Sequence, residues 1–156
     1  GWSGWRKNIQ ANALAAALSE RVAEVWAFGS DLKLPCPAQQ KIRIIPFRSR
    51  EQTFHLMRSA ALTMNVSLVD CHPMVQVEAQ TLGAMCLRGP LFLDALEDHP
   101  YVQATSVSDV NSIIDIRAAV DRALAMSRLE RAQLAQDYQH ASDAVAVQRY
   151  RVFLEI

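Results

Sequence analysis

Cysteine is scarce and odd in number. The three residues, Cys36, Cys71 and Cys86, are unevenly spaced and form no C-x-x-C. A disulfide framework is thereby excluded as the organising device, and a reducing compartment is the better reading. The four histidines show no metal-ligand spacing, so a structural zinc site is not expected. Charge of one sign is missing too. Basic and acidic residues number 16 each, for a formal net charge of zero. That argues against a general nucleic-acid or membrane-surface footprint. No apolar run approaches the length of a membrane span, and no signal peptide, repeat or low-complexity segment is visible.

What is present is core-forming material. Of 156 residues, 51% are hydrophobic, enough for one globular domain, taken as residues 1–156. Arg6-Lys7-Asn8 opens a predicted helix whose apolar face is spaced by Leu14, Leu18 and Val22. Basic residues in a first turn oppose the helix dipole, which suits either a surface loop or a site that gathers an anion. Val22 to Phe28 reads as a buried strand stopped by Gly29-Ser30, and 31–40, with Pro35 and Pro37, as a loop. Lys41 to Phe47 reads as a second strand, which Pro46 confines to an edge or to the strand end. Ser49 and Gln52 have capping-box spacing, which predicts a helix from Arg50 to about Ala61 with Phe54, Met57 and Ala61 inward.

The most informative stretch is Asn65 to Gly89, about 25 residues. An apolar run from Met64 to Val69 ends at Asp70. A loop, Cys71-His72-Pro73, follows, and Pro73 suits the first turn of a helix. That helix carries Val75, Ala79 and Leu82 on one face and Glu78 on another. It stops at Gly83, before an apolar strand from Ala84 to Leu87. Strand, loop, helix and strand in this length make one βαβ unit. In such units ligands sit at the carboxyl end of the strand and the amino end of the helix, the ground bracketed by Asp70 and Glu78. Beyond it, 90–98 reads as a short helix or turn and Tyr101 to Thr105 as a last strand. From Asp115 the chain is helical in character, with a final segment from Val145 to Ile156. Alternating strands and helices mean an α/β fold with a mainly parallel sheet. The first helix lacks its own preceding strand, which suggests a domain cut just after its first strand.

The order of these residues resembles the C-terminal, donor-binding half of retaining GT-B fold glycosyltransferases, the group 1 or family 4-like enzymes that act on nucleotide-activated sugars. Lys7-Asn8 at the first helix, Gly29 after the next strand and Asp70-x7-Glu78 carry the resemblance. That family has an E-x7-E motif at this place, and Ala79, Gly83 and the helical tail fit its pattern. The resemblance implies a Rossmann-like, mostly parallel sheet flanked by helices, with C-terminal helices. It implies that Glu78 receives ribose hydroxyls and that Asp70 lies near the sugar. His72, Pro73, Met74 and Val75 offer a helix amino end to the diphosphate, and Lys7 neutralises it. The loop after Phe47 borders the base. Two departures stand out: the first acid is Asp, and a basic residue usual before the lysine is absent, with Trp2 near its place and Arg6 as a substitute. The implied activity is hexosyl or related transfer in bacterial polysaccharide or glycoconjugate synthesis, inactive in the isolated domain. The implied partners are a UDP-, GDP- or ADP-linked sugar and an N-terminal GT-B domain, with no metal, no nucleic acid and no transmembrane segment. The implied place is the cytoplasm or the inner membrane face. The same departures fit a second reading, a non-catalytic Rossmann-like interaction module with a degenerate donor site.

Overall fold

A computed structural model describes residues 5–29, 32–70, 74–89 and 95–154. The elements run α1 (Ile9–Leu18), β1 (Val25–Phe28), β2 (Ile42–Ile45), α2 (Arg50–Ser59), β3 (Thr63–Asn65), α3 (Met74–Thr81), β4 (Cys86–Arg88), α4 (Pro100–Thr105), α5 (Ile113–Ala125) and α6 (Arg128–Leu154). Both strand pairs are parallel. β1 pairs with β2 from Val25↔Ile42 to Phe28↔Ile45, and β3 with β4 from Thr63↔Cys86 to Asn65↔Arg88. The α/β class with parallel pairing, flanking helices and a helical C-terminal third is therefore as expected. Among the described residues the pairing forms two two-stranded sheets rather than one.

Helix α1 spans both sheets. Ala13 packs with Ala27 and Leu32 on the β1 side, while Ala15 joins the main core with Val66, Leu87, Ile116, Ala119 and Val120. The expected inward face was Leu14 and Leu18, yet Leu18 is exposed and the alanines, with Asn12, are buried. Small side chains let α1 lie close against α5, its main helical neighbour. Helix α2 likewise departs from expectation. Its capping box is formed, with Ser49 accepting from the Gln52 N–H and Gln52 reaching back to the Ser49 N–H. None of its residues is buried, however, and Ala61 lies exposed beyond its end. The strands are shorter than the apolar runs that suggested them, and Trp26 and Phe28 of β1 are partly exposed rather than buried.

One element changes type. Tyr101 to Thr105 is not a strand but most of helix α4. His99 caps it by accepting from the Tyr101 N–H, and Pro100 stands in its first turn. Tyr101, Val102 and Thr105 then fall on one buried face. Strand-like pairing occurs one residue later, as a single parallel bridge between Arg88 and Ser106. The segment from Val145 to Leu154 is the end of one 27-residue helix, α6. Its first half buries Tyr138, which stacks on Tyr101 at 4.8 Å and receives the buried Arg88 guanidinium at 3.4 Å.

Candidate functional site

The turn ahead of α1 is where the chain commits its local geometry to a purpose. The helix does not open at Arg6; it starts at Ile9, and Asn8 holds a left-handed conformation, φ 52° and ψ 36°. Asparagine tolerates that region better than most residues because its short amide bonds locally. Here the Asn8 amide donates to the Val110 carbonyl at 2.7 Å. One turn on, the buried Asn12 amide donates to Asn8 O at 2.7 Å and to Val66 O at 2.9 Å, with Lys7 O at 3.3 Å. The Leu68 N–H reaches Arg6 O at 2.8 Å. Asn12 and Leu68 thus staple the Arg6–Asn8 turn to the chain leaving β3, and Asn8 ties it to the segment before α5.

That stapling brings together two residues 63 positions apart. Lys7 Nζ donates to Asp70 Oδ2 at 2.6 Å, with side-chain exposures of 36% and 12%. The same carboxylate oxygen receives the Asn65 amide at 3.3 Å and faces the Ser67 hydroxyl at 3.4 Å. Asn65 and Ser67 are themselves buried, and the Ser67 hydroxyl also lies 3.3 Å from Asn65 Oδ1. Gly89, at the end of β4, closes this corner. A Cβ there would sit 3.0 Å from Val110 Cγ1 and 3.3 Å from Ser67 O, too close for either to stay put. Sequence reasoning found Lys7 and Asp70 but missed Asn12, Asn65, Ser67 and Gly89. Alternate polar residues at the end of an apolar strand, N-x-S, were the available signal.

The second acid is also engaged. Glu78 lies on α3, its side chain 23% exposed, and Arg50 Nη2 is 3.3 Å from its Oε1. Arg50 is paired there, though its side chain is three quarters exposed. Glu78 is therefore not an unclaimed acceptor. The α3 face that enters the core is Gln76, Ala79 and Gln80, with Val75 and Leu82 only partly buried. Among the described residues, Gln76 Oε1 and Asn12 Oδ1 are buried without a hydrogen-bond partner. Phe47 stands 85% exposed after β2, and Met74, at the start of α3, is 48% exposed. Arg6 is exposed in the turn before α1. His72 and Pro73, with Cys71 and Trp2, lie outside the described residues. Among the described residues no three His, Cys, Asp or Glu side chains gather as a metal site, and no helix is long and apolar enough to cross a membrane.

Chemically, the corner presents a half-exposed ammonium held by a carboxylate, at the carboxyl end of a parallel strand. An incoming anion can share that ammonium without moving the backbone. A few residues along, a carboxylate and a guanidinium stand side by side, able to accept from hydroxyls and donate to carbonyls.

No protein-family model matches the chain, and no curated protein matches it. Its fold does match solved structures. One is the catalytic domain of a cholesterol-α-glucosyltransferase from Helicobacter pylori, with a TM-score of 0.66 over 90% of this chain and 91% of that one. Sequence identity is 19%, a level at which the likeness speaks for the GT-B glycosyltransferase fold.

Proposed function

We propose that this chain is the nucleotide-sugar donor-binding half of a retaining glycosyltransferase, completed by an acceptor-binding domain of the same protein. The observation that carries the reading is the Lys7–Asp70 pair, 2.6 Å apart at the carboxyl end of β3, in a fold shared with a glycosyltransferase catalytic domain. Ligands of doubly wound folds collect at this edge. In this reading Lys7 neutralises the donor diphosphate and stabilises the charge that develops as the sugar–phosphate bond breaks. Asp70 orients Lys7 and borders the sugar, and Glu78 accepts from the ribose hydroxyls. Phe47, Met74 and Val75 line the nucleotide, as do His72 and Pro73, and Arg6 supplements Lys7. The diphosphate is met by side chains and backbone amides, with no metal in the scheme. The setting is the cytoplasm or the inner face of the membrane.

A thermal-shift panel with UDP, GDP and ADP, and their sugars, tests this. Saturation at a hundredfold over the dissociation constant stabilises by about 2.7 kcal/mol, a shift of several degrees for a domain of this size. Lys7→Ala abolishes that shift. If no nucleotide moves the midpoint, the donor reading is lost. One observation favours a second reading: both acids are already ion-paired within the chain. That suits a non-catalytic interaction module whose donor site has closed on itself, and the same null result would support it.

A further inference from the structure

We propose that Arg50 is the nucleobase-contacting residue of this site, and that it selects a base with a carbonyl edge, uracil or guanine, over adenine; this rests on the donor-site reading above. Arg50 is the first residue of α2, and the Ser49–Gln52 capping box fixes where that helix starts. A cation at a helix amino end opposes the dipole. Two contacts hold it there nonetheless: Glu78 Oε1 at 3.3 Å, and the Phe54 ring, whose centroid lies 5.0 Å from Arg50 Cζ. As a stabilising device the arrangement is weak, because an ion pair whose cation is 74% exposed contributes little in water. As a binding device it is well formed. Phe54 backs the guanidinium plane, and most of the side chain remains open to a ligand.

Position then assigns its role. A hydroxyl that bonds Glu78 must come into contact with Arg50, since the two groups touch. Lys7 and Asp70, in the turn before α1 and after β3, form the anion end. Arg50 approaches Glu78 from a different element, the segment after β2 where Phe47 stands 85% exposed. A nucleotide laid along these groups meets Lys7 with its diphosphate, Glu78 with its ribose, and Arg50 with its base. The guanidinium offers N–H donors in a planar fork and accepts nothing. Uracil and guanine present carbonyl oxygens to such a fork. Guanine meets both arms with O6 and N7, and a uracil carbonyl oxygen can meet both with its two lone pairs, whereas each adenine ring nitrogen has one lone pair beside a donor amino group or C–H, so one of the two bonds is lost.

Titration calorimetry of the whole chain with UDP, GDP and ADP, for wild type, Arg50→Ala and Arg50→Lys, tests the assignment. Wild type should bind UDP or GDP more tightly than ADP. Arg50→Ala should weaken that preferred nucleotide about tenfold, the scale of one bidentate base contact, and leave ADP within about twofold. Arg50→Lys should not restore the preference, because an ammonium lacks the fork. Equal losses for all three nucleotides would place Arg50 on the phosphate or ribose and overturn the base assignment. So would unchanged or tighter binding in Arg50→Ala, which would leave Arg50 as a surface ion pair. In both of those cases wild-type nucleotide binding survives, and with it the donor site. Wild type that binds all three equally removes the selectivity, and wild type that binds none removes the donor site as well.

Discussion

At the scale of single residues, the short reach of Asp70 has a structural counterpart. An aspartate reaches about one methylene less far than a glutamate. Its Oδ2 does not stand out toward a ligand; it is gathered in by Lys7 at 2.6 Å, Asn65 at 3.3 Å and Ser67 at 3.4 Å. Asp70 holds the Lys7 ammonium, and the buried Asn65 and Ser67 side chains hold the carboxylate. The pair Lys7–Asp70 lies between the exposed and buried limits, so its removal has a measurable but moderate effect. Asp70→Asn keeps the shape and removes the charge. It should lower the unfolding free energy in urea by about 1 kcal/mol, and by less in high salt. A variant as stable as wild type at low ionic strength would mean that the pair contributes nothing to the fold. None of this network was legible in the sequence beyond its two charged members. Asn65 and Ser67 look like ordinary strand-end polar residues until a lysine 63 positions from Asp70 is brought against them.

At the scale of elements, termini proved more legible than interiors. Gly83 was read as the stop of α3, and it adopts φ 68°. The Gly83 N–H bonds Gln80 O, and the Ala84 N–H bonds Ala79 O, both at 2.8 Å, which is the Schellman pattern. Gly83→Ala should cost about 1 kcal/mol through the left-handed backbone, since the nearest atom to an added Cβ is Gln136 Nε2 at an ordinary 3.6 Å. A thermal melt unchanged from wild type would show that the turn relaxes out of that region. The Ser49–Gln52 box was readable for the same reason: both depend on chemistry between residues at most five positions apart. Packing faces were not readable this way. Helix α1 turned its alanines inward because α5 lies against it, and α2 buried nothing because no partner covers it fully. In YVQAT the β-prone residues suggested a strand. His99 and Pro100 supplied a cap and a first turn, and the burial of Tyr101 against β4 and Tyr138 decided in favour of helix.

At the scale of the whole molecule, α1, β3, β4, α4, α5 and α6 share one core, and its centre holds titratable groups that are kept neutral. The Cys86 thiol is fully buried and pushed up to about 12 by desolvation, with Arg88 pulling the other way. Tyr101 is raised too, first by burial and then by Cys86, while its hydroxyl lies 3.1 Å from the Cys86 N–H that donates to it. Both groups are neutral when protonated and bind their protons more tightly folded than unfolded. Below about pH 9 both states keep the Cys86 proton, so its contribution is fully present. Above that, the unfolded chain ionises first and gains, and the contribution drains away as pH rises toward 12. The slope is about 1.4 kcal/mol per pH unit for a fully linked group, with Tyr101 adding to it from about pH 10. Urea unfolding of wild type and Cys86→Ala at pH 8, 9, 10 and 11 isolates the thiol, because lysine and surface titrations are common to both chains. The variant starts lower at pH 8 for want of the buried side chain, and the two stability curves should converge between pH 9 and 11. Curves that stay parallel over that range would mean that the thiol ionises in place, and that the core around β4 is open to water.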